Sequence, residues 1–516
     1  MTLVGVRKVT AQVSACAVFF ASAIASATPS ALGEEDARHL LARTGFGPTA
    51  REVAAFATLT REQAIERLLA DLSRDPMTPV PESLRASGPI RLPGPDASEE
   101  ERRAFRQQQL SEGLELRGWW IEEMLATHSP LTERMTLFWH SHFASSQQKV
   151  RFARLMYQQN ATFRRHALGN FRELLFAAAR EPAMIVYLDV AQNRRGAPNE
   201  NFAREVMELF TLGEGRYREE DVREAARAFT GWSIDRDTGT FRMRPLLHDA
   251  GVKSVLGTTG RLDGDAVLAI LLAQPATAEH IVAKLWREFV SPAPEAREVQ
   301  RIAERFRRAD YSISVALREL LLSDAFYDPA NRGALVKSPV ELVVGTLRQL
   351  DVKPASGAPF AIAAATMGQN LFAPPNVKGW VGGEAWINAS TLLARKAFVE
   401  RFVASDAPLA LMTSEIRTGE VAEMTGNEAM AAVSKASADE GVGPNRRFAR
   451  MIERGIRDMR FDAAAWLQAL PGASDDARRA HAQALLLPAT GPFDSRPIAP
   501  SQFIRTVFLD PSYQLK

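Results

Sequence analysis

The chain has 516 residues, a formal net charge of +2 and a single cysteine, Cys16. A chain of this length exceeds the size at which one hydrophobic core usually stops growing, so one large or two modest domains are expected. The near balance of charge argues against nucleic acid as a partner, because proteins that bind nucleic acid carry a clustered basic face. Since the only cysteine lies close to the N-terminus, the rest of the chain has neither a disulfide nor a thiol nucleophile.

The first 27 residues have the three-part pattern of an export signal. Arg7 and Lys8 precede an apolar run over residues 9–25, and Ala25-Ser26-Ala27 is a small-residue cleavage site. We expect cleavage there and a mature protein in the periplasm or outside the cell. A membrane anchor is the competing interpretation, although the run is shorter than the roughly 20 residues of a spanning helix. Residues 13–16 also resemble a lipoprotein cleavage site.

Helical patterns dominate the remaining chain, so we predict a mainly α fold. It consists of one large, irregular multi-helical domain with one short β-hairpin. Thr60 and Gln63 form a predicted capping box before a helix at residues 64–69. Residues 73–98 are rich in proline and read as a loop or insertion. A long amphipathic helix is expected from about residue 99 to residue 128, with these side chains buried: Leu110, Leu114, Trp119 and Leu125.

Further helices are predicted along the chain at residues 50–57, 131–142, 152–168, 171–180, 183–188, 200–212, 219–230, 264–272, 276–289, 296–307, 314–322, 339–350 and 391–404. The hairpin is predicted to pair residues 240–243 with residues 254–256. Residues 28–405 form the main domain, and residues 406–516 are a helical extension packed on it. No apolar run after residue 27 is long enough to cross a bilayer, so we expect no transmembrane segment in the mature chain.

One predicted helix carries a polar stripe on an otherwise apolar surface. Positions i, i+3, i+4 and i+7 are Asn201, Arg204, Glu205 and Glu208. Glu205 and Glu208 resemble the carboxylate arrangement that helix bundles use around metals. The alternative is an ion-paired face on which Arg204 bridges Glu200 and Glu208. The candidate catalytic residues are therefore Glu205, Glu208 and Arg204.

The candidate metal ligands are His140, His142, His248 and Asp249. The i, i+2 spacing of His140 and His142 directs them to nearly opposite sides of a helix, so both reach one metal only if the helix ends there. If His140, Glu205, His248 and Asp249 converge, they form a carboxylate–imidazole site that binds a divalent metal and activates water. The alternative is that the histidines pack among aromatic rings and that Asp249 caps a turn.

Tryptophans beside glycines suggest a groove for a glycan or another extended ligand. The residues of this candidate groove are Trp232, Lys378, Trp380, Trp386 and Asn388. In the alternative interpretation the three tryptophans fill the core beneath loops, because large aromatic side chains dominate core energetics.

Several segments resemble the family catalogued as domain of unknown function 1800, whose members are mostly exported bacterial proteins. The longest, at residues 199–232, reads NENFAREVMELFTLGEGRYREEDVREAARAFTGW. Shorter segments are HLLARTGFGPTAREV, LTERMTLFWHSHFASS, HDAGVKSVLG and PPNVKGWVGGEAWINASTLLAR. Together they cover most of residues 38–402, whereas the tail from residue 406 matches weakly except at residues 508–514.

The resemblance implies no activity. It implies a partner, because family members often look genomically paired with a second exported family, domain of unknown function 1501. That second family resembles the alkaline phosphatase and sulfatase superfamily. Many relatives carry a histidine at the position of Phe210, which weakens the case for a metal site in this chain.

Two hypotheses follow. In the first, the chain is an exported binding or accessory protein of the envelope that works with such a partner, and its polar groups are dispersed and individually satisfied. In the second, it is a metal-assisted hydrolase. The chain has no nucleophile elbow, no phosphate-binding glycine loop and no His-Glu-x-x-His or cysteine-based zinc motif. This absence, together with Phe210, places binding first, and whether the chain is an enzyme is left undecided by the residues alone.

Overall fold

The computed structural model describes residues 30–70, 72–85, 88–402, 461–488 and 498–516. These residues form 23 α-helices and two short antiparallel strand pairs, which confirms the mainly α prediction. The predicted export signal and the predicted boundary near residue 406 lie outside the described residues.

The first twelve helices precede the strands. They are α1 (Gly33–Thr44), α2 (Ala50–Ala57), α3 (Arg61–Ala70), α4 (Glu82–Arg85), α5 (Glu99–Ala126), α6 (Pro130–His142), α7 (Gln147–Val150), α8 (Ala153–His166), α9 (Phe171–Arg180), α10 (Pro182–Tyr187), α11 (Asn201–Glu208) and α12 (Glu219–Ala228). The next eight follow the strands. They are α13 (Gly264–Ala273), α14 (Pro275–Phe289), α15 (Ala296–Arg308), α16 (Ile313–Leu321), α17 (Asp324–Tyr327), α18 (Pro339–Gln349), α19 (Ala358–Thr366) and α20 (Ala389–Glu400). The tail contributes α21 (Ala463–Ala469), α22 (Asp475–Leu486) and α23 (Pro500–Leu509).

Several helices begin at a side-chain cap, and one of these caps was predicted. The predicted box at α3 is confirmed: the Thr60 amide donates to Gln63 Oε1 at 3.0 Å, and the Gln63 amide donates to Thr60 Oγ1 at 3.3 Å. The helices without a predicted counterpart in residues 30–402 are α1, α4, α7, α17 and α19. Three of these are four residues long, and α19 is apolar and buried on nearly every side, so it shows no helical period.

The predicted hairpin pairing is wrong, because each predicted strand pairs with another segment. Strand β1 (Trp232–Ile234) pairs with β2 (Phe241–Met243), and β3 (Lys253–Val255) pairs with β4 (Thr258–Gly260). A turn around Asp235, whose carboxylate accepts two backbone amides, closes the first pair. The second pair turns at Leu256 and Gly257, which both have positive φ, as a two-residue hairpin loop requires. The alternation of apolar and polar residues predicted β2 and β3 at nearly the right positions, but it did not predict the short turns that pair each of them with a neighbouring segment.

Helix α6 lies in the core, with 11 of its 13 residues buried. Its charged residues are therefore paired inside the protein. Glu133 accepts hydrogen bonds from Arg164 of α8 and, at 2.8 Å, from Trp120 Nε1 of α5. Arg134 lies 2.6 Å from Glu341 of α18 and also pairs with Glu288 of α14. These pairs connect α6 to four other helices.

Helices α5 and α19 approach each other through glycine. A Cβ atom added at Gly118 of α5 would lie 2.9 Å from the amide nitrogen of Ala358. The amide of Gly357 also donates to Glu122 Oε1 at 2.6 Å. Because α19 leads into residues 367–388, this contact fixes the start of the loop described below.

Within the described ranges, no single helix is both long and apolar enough to cross a membrane. Taken together, α13 and α14 meet the length and composition of a span, but their axes are bent by 74° at the break.

We expect Gly118→Ala to destabilise the protein. Both Gly118 and Gly113 lie inside α5, so alanine at either position improves helix propensity by about 1 kcal/mol. At Gly118 the new methyl group meets backbone, whereas at Gly113 it meets the ends of the Gln147 and Arg117 side chains, which can move. Gly118→Ala should be less stable than Gly113→Ala by about 1–3 kcal/mol in denaturant unfolding. Equal stability of the two variants would contradict the close helix approach.

Candidate functional site

The two histidines at the end of α6 point to different surroundings, as their spacing predicts. His140 is 1% exposed, and its ring centroid lies 5.1 Å from that of Phe372 and 5.6 Å from that of Trp380. Its Nε2 atom accepts a hydrogen bond from the amide of Phe372 at 3.1 Å. Burial, together with the charge of Arg117, lowers the pKa of His140 to about 3. The ring is therefore neutral and serves as an acceptor for the loop that follows α19.

His142 faces α14 and the turn after α11. Its Nε2 atom lies 3.2 Å from the carbonyl oxygen of Phe210, and its Nδ1 atom lies 2.9 Å from Nζ of Lys284. Since a carbonyl only accepts, Nε2 carries the proton and Nδ1 accepts from the lysine. His280, one helical turn before Lys284, hydrogen-bonds through Nε2 to the carbonyl of Leu209 at 3.1 Å. We call His142, His280 and Lys284 the basic cluster.

Burial shifts all three groups of the basic cluster toward their neutral forms. It lowers the pKa of Lys284 to about 8 and, together with the charge of that lysine, lowers the pKa of His280 to about 4. The pKa of His142 lies well below its ordinary value for the same reasons. At neutral pH the cluster therefore holds one ammonium group that donates to a neutral imidazole.

Carboxylates surround Lys378 on the outer side of this region. Lys378 Nζ lies 3.1 Å from Glu214 Oε1 and 4.0 Å from Glu208 Oε1. Tyr217 donates its hydroxyl proton to Glu208. Burial and the neighbouring Glu208 raise the pKa of Glu205. We call Glu205, Glu208 and Glu214 the acidic rim.

Arg204 forms a second set of ion pairs beside the acidic rim and also interacts with Tyr217. It pairs with Glu200 at 3.3 Å, as predicted, but its second partner is Glu219 of α12 at 2.7 Å. The predicted bridge to Glu208 is replaced because α12 packs beside α11 and presents Glu219 to the guanidinium group. Three residues of the polar stripe, Arg204, Glu205 and Glu208, are thus half-buried, whereas Asn201 is exposed.

The loop of residues 374–388 is held against the end of α6. Gly379 has a φ of +80°, and a Cβ atom there would lie 2.3 Å from the carbonyl oxygen of Ser141, so only glycine fits. The Trp380 amide donates to Ser141 Oγ at 3.4 Å. Beyond this anchor Val381 is 89% exposed. Trp380 of this loop also packs on His140, so the loop covers one of the two histidines.

The other candidate metal ligands contact α12. His248 Nδ1 lies 2.9 Å from the carbonyl oxygen of Thr230, and the Asp249 amide donates to Thr230 Oγ1 at 2.7 Å. The Asp249 carboxylate lies 2.8 Å from Arg227, and that bond lowers the pKa of Asp249 to about 2. In the described part of the chain, no three His, Cys, Asp or Glu side chains lie together in a group that could hold a metal ion.

The candidate groove residues have different surroundings. Trp232 is 5% exposed and packs against Phe229 with ring centroids 5.1 Å apart. Trp386 is 9% exposed, and Asn388 caps α20 by accepting from the amide of Thr391 at 2.9 Å. Lys378 and Trp380 lie on the loop next to the acidic rim. Of the predicted site residues, the structure therefore brings together Glu205, Glu208 and Lys378.

Sequence reasoning missed four residues of this region: Glu214, Tyr217, His280 and Lys284. His280 and Lys284 are four residues apart, so they share one face of α14, and that spacing was readable. Glu214 and Tyr217 lie in the link between α11 and α12, where no period marks a role.

Acid should destabilise the fold through its buried neutral histidines. Because the pKa of His140 is lowered from 6.5 to about 3, the unfolded state binds the extra proton between these pH values, and the free energy of unfolding falls as the pH falls through them. We expect His140→Gln to lower stability at neutral pH and to flatten this slope by up to about 1.4 kcal/mol per pH unit. Denaturant unfolding at several pH values between about 7 and 5 measures how the free energy of unfolding changes with pH. The exposed His128 provides the control variant His128→Gln, and equal slopes in all three proteins would contradict the prediction.

Comparison with known proteins identifies the chain by family. Neither a curated protein nor a solved structure matches it significantly. One family model matches residues 39–515, which is nearly the whole chain and includes every segment of the site. The chain belongs to the family described as protein of unknown function DUF1800.

Proposed function

We propose that the protein is an exported binding or accessory protein of the envelope that works with a phosphatase- or sulfatase-like partner of the domain of unknown function 1501 family. Its binding surface consists of the loop of residues 374–388 and the acidic rim. The observation that carries this proposal is the contrast between the loop and the candidate metal ligands. Val381 is 89% exposed on an anchored loop, whereas His140, His142, His248 and Asp249 are each bonded within the protein.

An anchored loop favours binding because less conformational freedom is lost when a partner docks. Gly379 fixes the loop at Ser141, while Gly382 and Gly383 have positive φ and no neighbouring atom within 4 Å of a Cβ position. The surface thus combines an exposed apolar side chain with Lys378 and its carboxylates. An apolar centre with a charged edge is the common composition of protein interfaces.

Val381→Asp should weaken binding of the partner about tenfold or more, because it places a charge in the centre of the proposed contact. Calorimetric titration of the purified protein with the domain of unknown function 1501 protein from the same source measures the change. Leu246→Asp is the matched control, since Leu246 is 88% exposed but lies in another segment. No binding by the unaltered protein, or equal weakening by both variants, would refute the proposed surface.

Metal-assisted hydrolysis is the alternative, and one observation favours it. The carboxyl group of Glu205 has a raised pKa and lies beside Glu208, an arrangement that acid–base sites use. Against it, the imidazoles nearest to this pair form their hydrogen bonds within the protein.

The binding proposal predicts that the purified protein carries no stoichiometric metal and that Glu205→Ala leaves its metal content unchanged. Elemental analysis after purification without chelators, repeated after incubation with zinc and with manganese, measures this. Glu205→Gln, which keeps the shape of the side chain, separates loss of charge from loss of packing. One metal per chain that disappears in both variants would establish the hydrolase alternative instead.

A further inference from the structure

A narrow cavity lies between α1, α18 and the C-terminal segment, apart from the surface proposed above. Its volume is about 20 Å³, on the measure by which one water molecule needs about 10–15 Å³, and it opens to solvent. Its charged lining consists of Arg38, Lys337, Glu341 and Lys516. Three cationic side chains and one carboxylate side chain thus line the cavity.

That carboxylate is already engaged. Glu341 lies 2.6 Å from Arg134, which is outside the lining, and it also pairs with Lys516. Its backbone and side chain close the capping box at the start of α18, where Oε2 accepts from the Ser338 amide at 2.8 Å. Glu341 acts on Lys337 only from a distance, and its close ion pairs are with Arg134 and Lys516.

Arg38 and Lys337 contact neutral groups. Arg38 is 7% exposed and donates to the carbonyl oxygen of Pro488 at 3.0 Å. Lys337 donates to the carbonyl oxygen of Tyr513 at 2.8 Å, and its Nζ lies 4.2 Å from the centroid of that ring. In the portion of the chain that the structure describes, neither cation forms an ion pair with a carboxylate within 4.0 Å.

Two further buried arginines deepen the charge imbalance. Arg43 and Arg395 are both fully buried and donate only to carbonyl and amide oxygens within the described ranges. Burial lowers the pKa of Lys337 to about 7 and that of Lys516 to about 8. A buried cation without a counter-charge costs several kcal/mol, so this region gains stability from any anion that enters it.

We propose that the cavity binds a small oxyanion, such as phosphate or sulfate, between Arg38 and Lys337. The guanidinium group supplies a planar set of donors that matches two oxygen atoms, and the ammonium group supplies a point charge. Because the enclosed space holds only about one water molecule, the anion sits at the open side of the cavity, which Arg38 and Lys337 border. This site does not depend on the binding function proposed above.

Anion-dependent stabilisation tests the site. In a low-chloride buffer, inorganic phosphate or sulfate should raise the Tm of the full chain in proportion to the logarithm of its concentration above Kd. Lys337→Met removes one uncompensated charge and keeps the length of the side chain. It should raise the Tm without added anion and reduce the phosphate response at least tenfold in apparent Kd. Lys353→Met, which changes an exposed lysine in a loop, should respond to phosphate like the unaltered protein.

Direct titration calorimetry with phosphate, sulfate and acetate distinguishes the anion classes without relying on any variant. Binding of at least one of them, weakened by Lys337→Met and by Arg38→Met, would support the proposal. An unaltered protein that binds none of the three, or a Lys337→Met variant with an undiminished response, would overturn it. The first of these results is expected if the chain's own groups already neutralise the cavity.

Discussion

The burial of α6 together with its polar side chains is the constraint on which the rest of the structure depends. A helix buried on every side is normally apolar throughout. Here Glu133, Arg134, His140 and His142 are all nearly inaccessible, so each needs a partner inside the protein. Those partners come from α5, α8, α14, α18 and the loops after α11 and α19. The packing of these elements is therefore specified by hydrogen-bond geometry as well as by the burial of apolar surface. Loss of one partner would leave a polar group unpaired in the low-dielectric interior, which destabilises the fold.

The same constraint explains why the candidate site has two layers. In the inner layer both imidazoles are neutral and stabilise the fold. His140 accepts a hydrogen bond from the Phe372 amide, and His142 donates one to the Phe210 carbonyl oxygen. Outside, the acidic rim and Lys378 stay in contact with water. A reaction that used the inner imidazoles would need them to exchange their protein partners for a substrate. A binding partner needs only the outer layer, which is the reason for proposing binding ahead of hydrolysis.

Local chemistry was predictable from the sequence, and the partners of the polar groups were not. Capping pairs such as Thr60 and Gln63 are three residues apart, so the chain itself holds them together. The opposite orientations of His140 and His142 follow from helix geometry in the same way. Lys284 is 142 residues from His142, and Glu219 displaced Glu208 as a partner of Arg204 only because α12 folds beside α11. Strand pairing failed for a related reason, since short turns at Asp235 and Leu256 outweighed the alternation that located the strands.

Lys284 and the pair of Arg38 and Lys337 are satisfied in different ways, and the difference supports the anion site proposed for the cavity. Lys284 has no ion-paired carboxylate in the described residues, but it donates to the lone pair of His142, and the surrounding side chains leave it enclosed. Arg38 and Lys337 also lack a carboxylate there, yet they border a cavity whose one acid is shared by two other cations. An imidazole can satisfy a buried ammonium group at the cost of a lowered pKa, and nothing more is needed. A guanidinium group cannot lose its proton in this way, so Arg38 keeps its charge beside the cavity, where an entering anion would pair with it.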